Sequence, residues 1–142
     1  MGARVLVPYD GSGPADASLR FAMETFPDAS IEVLHVVEPF AEHTDAGVED
    51  YRHRWLEKAR GTANQMFEKA QAIAEEYDKT VETNWRYGRP GHGIVNHIDG
   101  GDFDHVVMGS HGRSGIERIM LGSVAETTLR RSSVPVTIVR EQ

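Results

Sequence analysis

The chain has 142 residues and no cysteine, with 22 acidic against 15 basic side chains and a formal net charge of −7. That length suits one domain with a substantial core, and the lack of cysteine excludes disulfides and thiolate chemistry. The acidic balance argues against a nucleic-acid partner, since phosphate backbones are bound by basic surface. No run of about 18 apolar residues is present to cross a membrane, and the opening Arg4-Val5-Leu6-Val7-Pro8 is too short and too soon polar for a signal peptide. The expectation is a soluble, acidic, cytoplasmic protein whose one domain spans residues 1–142.

Arg4 to Pro8 reads as a first strand, a continuous apolar run of the kind buried on both faces of a parallel sheet. Tyr9-Asp10-Gly11-Ser12-Gly13-Pro14 follows as a turn into a helix, with Ser12 as N-cap. Ala15, Leu19, Ala22, Met23 and Phe26 then keep to one helical face, and Pro27-Asp28 ends it. Ile31 to Val37 is a second strand, apolar except for Glu32 and His35. Residues 38–46 form a polar connection, expected to be mobile, into the longest element, a helix from about Gly47 to Tyr77. Its Tyr51, Trp55, Met66 and Phe67 keep helical spacing and are read as packing against the sheet, with the charged positions facing water.

Val81 to Tyr87 alternates as a strand with one wetter face. Gly88-Arg89-Pro90-Gly91 is read as a turn, and Ile94, Val95 and Ile98 as a short helix ended by Gly100-Gly101. Asp104 to Gly109 is the fourth strand. A long loop leads to a helix starting at Ser123 and closing at Ser132-Ser133, and Val134 to Val139 is the last strand. This alternation of strands and helices gives an α/β fold, an open parallel five-stranded sheet with helices on both faces. In such sheets ligands bind beyond the carboxyl ends of the strands, where the strand order reverses. The loops after the first and fourth strands, which carry Asp10 and Gly109 to Gly122, are therefore joint candidates for a site.

The stretch from Met108 to Ser123 is the most informative. Strand–helix connections in α/β units usually take roughly 2–6 residues, and loops of about a dozen tend to be functional or disordered. Ser123 suits an N-cap, and Glu126 three residues on completes a capping box. A helix N-terminus favours phosphate through its free N–H groups and partial positive charge, while Gly109, Gly112 and Gly122 would let a ligand approach the backbone. The plainer alternative is a loop with ordinary turn glycines and a self-satisfied cap. No Gly-Lys-Ser/Thr ending is present, so the loop is not a P-loop, and Gly-x-Gly-x-x-Gly is absent after the first strand. Asp10 is either a ligand contact or a turn carboxylate capping the helix after it. His111 is read as a loop residue rather than a general base, and His35, His43, His53, His92, His97 and His105 lack zinc-ligand spacing.

The Gly-x2-Gly-x9-Gly-Ser spacing at Gly109, Gly112, Gly122 and Ser123 resembles the ATP-binding motif of the universal stress protein family. The likeness extends over essentially the whole chain. Val5-Leu6-Val7-Pro8-Tyr9-Asp10-Gly11-Ser12 resembles that family's opening, Leu34-His35-Val36-Val37 its second strand, Gly88-Arg89-Pro90 the turn before its third helix, and Ser133 to Val139 its closing strand. The resemblance implies strand order 3-2-1-4-5, a dimer formed through the last strand, and ATP held between the first and fourth strand ends. By position it places Pro8 and Tyr9 near the base, Asp10 at the ribose or a phosphate-bound metal, and Val36 at adenine through its backbone. Met108 would lie beneath the ribose, with Gly109, Gly112, Arg113, Gly122, Ser123 and Val124 around the phosphates. A branch of the family lacks the glycines and does not bind ATP; this sequence keeps every one, together with the serine.

Arg113, with Arg118 beyond it, can neutralise phosphate. Asp10 beside a polyphosphate is repulsive unless it accepts from a ribose hydroxyl or coordinates a cation, so Mg²⁺ or Mn²⁺ is expected with the nucleotide. The last strand, Val134 to Val139, would be an apolar sheet edge, and such edges invite pairing with a second copy. The expected function is an ATP-binding stress-response or regulatory protein without dedicated catalysis and with an unknown downstream partner. The alternatives are a slow nucleotide hydrolase and a nucleotide-free dimeric interaction protein.

Overall fold

The computed structural model describes residues 2–38, 49–111 and 121–141, and for residues 49–53 the backbone only. Five strands, β1 (Arg4–Pro8), β2 (Ser30–Val37), β3 (Glu82–Tyr87), β4 (His105–Gly109) and β5 (Val136–Val139), alternate with four helices, α1 (Gly13–Thr25), α2 (Glu49–Glu75), α3 (Pro90–Asp99) and α4 (Ser123–Arg131). The strands form one sheet in the order β3-β2-β1-β4-β5, and all four neighbouring pairs are parallel. The expected fold class is borne out, including the order of the strands.

Two apolar layers cover the central strands. Val5, Val7 and Tyr9 of the first strand and its turn, with Val33 and Val107, face α1 and α2 through Ala15, Leu19, Met23, Ala70, Ile73 and Ala74. Leu6, Leu34, Val106 and Met108 face the other way, onto Ile94 and Ile98 of α3 and Ala125 of α4. The period-2 alternation of strand side chains sorts the two sets. Since β1 and β4 are buried on both faces, they read as unbroken apolar runs in the sequence.

The element ends differ from expectation in ways the hydrogen bonds explain. Gly88 makes the turn, with φ of +141°, but Pro90 and Gly91 belong to α3 rather than to the turn. Proline suits the first helical position, where its missing N–H removes no intrahelical bond. The last strand begins at Val136, not Val134, because the Ser132 hydroxyl engages both the Val134 carbonyl and its amide. Pro135 still offers its carbonyl to the Val106 amide at 2.9 Å. β3 is wet on more than one face: only Trp85 is half-buried, and the buried Val81 precedes the strand. The Gln71 side-chain amide holds Val81 there through both its carbonyl and its N–H.

The long helix begins at Glu49 as described, and the expected start at Gly47, the connection over 39–46 and the Tyr51 side chain lie outside the described residues. Trp55 packs with Val37, Ala59 and Trp85 and meets the Tyr87 ring edge-on at 4.4 Å. This is the packing role expected for its aromatic positions.

Candidate functional site

The strand order reverses between β1 and β4, and the loops leaving them lead to opposite faces, to α1 and to α4. That divergence opens a crevice at the carboxyl ends of the two strands. On the β1 side, Gly11 adopts φ of +77°, a conformation open to glycine at little cost. The Asp10 Oδ1 accepts the Ser12 amide at 3.0 Å, and the Ser12 hydroxyl accepts the Ala15 amide at 3.2 Å. The expected cap of α1 is therefore in place, and Asp10 holds the turn that precedes it.

Tyr9 follows the alternation of β1 away from α3 and α4. Its ring is buried against α1 and α2 and its hydroxyl donates to Asp16. Burial first, then the Asp16 carboxylate, pushes the phenol well above its ordinary value, so it remains a donor. The Tyr9 carbonyl contacts His35 Nδ1 at 2.9 Å. Any base-side role for Tyr9 therefore falls to its backbone, because its side chain is committed to the opposite layer.

On the β4 side, Met108 is buried in the layer beneath α3 and α4. Gly109 ends the strand directly against α1: a Cβ there would stand 2.7 Å from Pro14 Cβ and 2.8 Å from the Pro14 carbonyl carbon. Its missing side chain thus admits a neighbouring helix, not only a ligand. The Ser110 amide donates to the Val139 carbonyl, and the Ser110 carbonyl accepts the Gly122 amide at 2.8 Å. The two ends of the long connection meet at that bond. His111 Nδ1 lies 3.1 Å from the Ser110 hydroxyl. Gly112, Arg113 and Arg118 lie outside the described residues.

The capping box expected at Ser123 is not formed. Gly122 is the N-cap, with extended φ and ψ of −69° and 160° and no side-chain cap, and Ser123 is the first helical residue. The Gly122 carbonyl accepts the Glu126 amide, and the Glu126 carboxylate pairs instead with Arg130 one turn on, at 3.3 Å. Ser123 is exposed, and Val124 is half-buried over the α3/α4 layer.

Sequence reasoning missed that α3 contributes a second helix start beside the first. Arg89 is its N-cap residue and supplies no side-chain cap. Gly91 draws the helices together, since a Cβ there would stand 3.0 Å from Thr127 Cβ and Cγ2. Gly93 likewise seats Val36 of β2, whose Cγ1 lies 3.0 Å from the position its Cβ would take. Between the two helix starts is a cleft of about 450 Å³ lined by Glu38, Arg89, Pro90, Gly91, His92, Ser123, Val124 and Thr127. The signal available in the sequence was Gly88-Arg89-Pro90, a proline-started helix with a cation at its threshold.

The structure therefore brings Ser123 and Val124 together with Arg89 and His92, with Val36 packed on the same helix. Asp10 stands on the neighbouring turn, outside the cleft's lining. Two helix starts without side-chain caps, flanked by a guanidinium and an imidazole, make a donor set suited to an anion, and Glu38 bounds it on one side. Among the described residues no group of three or more His, Asp or Glu is placed to hold a metal ion, and no helix is long and apolar enough to cross a membrane.

Comparison with known proteins agrees with this architecture. The sequence model of the Universal stress protein family matches residues 1–140. Universal stress protein YxiE of Bacillus subtilis is 31% identical over 147 residues, covering 96% of this chain and 98% of its own. The solved structure of MJ0577 from Methanocaldococcus jannaschii superimposes with a TM-score of 0.84 at 26% identity, covering 100% of this chain and 98% of that one. Two more distant structures share the fold. One is an Arabidopsis thaliana family protein with AMP bound, with a TM-score of 0.72 at 18% identity over 99% of this chain and 92% of its own. The other is the universal stress protein of Archaeoglobus fulgidus in complex with dAMP, with a TM-score of 0.70 at 20% identity over 99% and 98%. Over its full folded length, this chain belongs to the universal stress protein family.

Proposed function

We propose that the chain is a nucleotide-binding regulatory protein that holds ATP across the carboxyl ends of β1 and β4. The observation that carries this reading is the pair of helix starts, α3 and α4, that lack side-chain caps and open on one cleft. Family membership and the adenine nucleotides named in related structures support it. The phosphates lie at the amides of Ser123 and Val124, with Gly109, Gly112, Arg113 and Gly122 around them. Pro8, the Tyr9 backbone, Val36 and Met108 border the base and ribose.

Asp10 meets the ribose hydroxyls or a divalent cation carried in on the phosphates. Mg²⁺ or Mn²⁺, when bound, neutralises charge that Asp10 would otherwise oppose. Occupancy, rather than turnover, is the signal. A homodimer through the half-exposed edge strand β5 places two such sites in one particle.

The test is thermal unfolding of dialysed protein with and without millimolar ATP and Mg²⁺. A ligand at a hundredfold its dissociation constant stabilises the folded state by about 2.7 kcal/mol, and a domain of this size gains about 3 °C per kcal/mol. The expected rise of several degrees disappears in Gly122→Val. No rise in wild-type protein free of co-purified nucleotide overturns the reading in favour of a nucleotide-free interaction protein.

A further inference from the structure

On the α2 side of the crevice, Lys69 reaches across 58 positions of sequence to the β1–α1 turn. Its Nζ donates to the Gly11 carbonyl at 2.7 Å and pairs with Asp16 Oδ2 at 3.1 Å. The other oxygen of that carboxylate accepts the buried Tyr9 hydroxyl. The Gly11 carbonyl and the Ser12 amide belong to one peptide unit, which is planar and moves as a plate. Lys69 therefore grips one end of the plate that Asp10 Oδ1 holds at the other. Glycine at position 11, at φ of +77°, gives this plate more rotational freedom than any other residue would. A fixed plate direction therefore rests on the groups that hold its two ends, Asp10 and Lys69.

We propose that Lys69 is a positioning residue, which orients the Gly11–Ser12 peptide and thereby sets the direction in which the Asp10 carboxylate is presented at the crevice. Asp16 holds the ammonium in place, and the Tyr9 phenol fixes Asp16 to the core. The consequence for binding rests on the nucleotide reading given above, whereas the hold on the turn is independent of it. Because the Lys69 side chain is half exposed, the ion pair itself adds little to folding stability, and its effect is on geometry.

The experiment compares wild type, Lys69→Met and Lys69→Arg as full chains, and adds Asp10→Asn alone and with Lys69→Met. Hydrogen exchange of the Ser12 amide is read by NMR without ligand, and ATP–Mg²⁺ affinity by calorimetry. Expected in Lys69→Met is a Ser12 amide that exchanges about threefold faster, with the melting temperature within about 2 °C of wild type. ATP binding weakens by about threefold. Lys69→Arg restores both, and in the Asp10→Asn background Lys69→Met weakens binding no further.

An unchanged Ser12 exchange rate overturns the proposal, and so do effects of the two substitutions on affinity that simply multiply. If Asp10→Asn binds ATP as tightly as wild type, the functional half of the proposal fails with the placement of Asp10 at the nucleotide. The Ser12 exchange rate still decides whether Lys69 holds the turn.

Discussion

At the start of α1 the Ser12 hydroxyl accepts the Ala15 amide, Asp10 accepts the Ser12 amide, and the Glu141 carboxylate fills the space where a side chain on Gly13 would stand. At the starts of α3 and α4, on the same rim of the sheet, the N-cap residues Arg89 and Gly122 supply no side-chain cap. The contrast has a physical meaning. Free N–H groups at a helix start must find partners; α1 takes one from its own Ser12, whereas the N-cap residues of α3 and α4 supply none, a part that the proposed function gives to the ligand. A fold that braces one helix start with its own serine and aspartate, and gives neither neighbour a cap from its N-cap side chain, sets a structural turn beside two starts that the proposed function makes receptive.

The largest effect should come from breaking the contact that fixes α1 against β4. Gly109→Val sets new atoms inside 3 Å of Pro14 and should cost about 3 kcal/mol, a fall in melting temperature on the order of 9 °C. A melting temperature near that of wild type would mean that α1 slides freely over β4 and that the rim is not rigid.

Ser123→Pro tests the receptive side with an effect on binding instead. Proline is at home at the first helical position, and the extended backbone of Gly122 suits a residue before proline, so α4 should survive. In the proposed site this removes one amide and one hydroxyl from the phosphates, and ATP affinity should fall about tenfold. An unaltered dissociation constant would remove the α4 start from the site.

The smallest effect is on the structural side. Ser12→Ala removes the cap of α1 at a cost of about 1 kcal/mol, or about 3 °C without ligand. Were Ser12→Ala harmless and Ser123→Pro damaging to the unliganded fold, the contrast between the two rims would be reversed.

The strands were legible in the sequence because both faces of β1 and β4 are buried, and an apolar run needs no knowledge of its partners to be recognised. The Ser12 cap was legible for a similar reason, since its bonds are made within four residues. Ser123 misled because Ser-x-x-Glu competes with other partners, one twelve residues back and one a single turn ahead. Ser110 holds the Gly122 amide, and Arg130 takes the Glu126 carboxylate.

Gly109 was read for the approach of a ligand, and the structure adds the approach of Pro14, a contact between α1 and β4 that no spacing announces. Tyr9 resembled a residue of the site by its position after β1, but strand alternation turns its ring to the other face. Lys69 was one of many charges on the wet face of a long helix, and nothing in its neighbourhood of sequence marks the turn it reaches.

The hydrogen bond from the Gly122 amide to the Ser110 carbonyl joins the two ends of the connection between β4 and α4. The entropy of closing a loop grows slowly with its length, by only about 0.6 kcal/mol for each doubling. Residues can therefore be added to or removed from the connection between those two ends at little cost in closure entropy. In design terms the connection is an exchangeable cassette: its length can change while the two residues that close it keep the ends of β4 and α4 together.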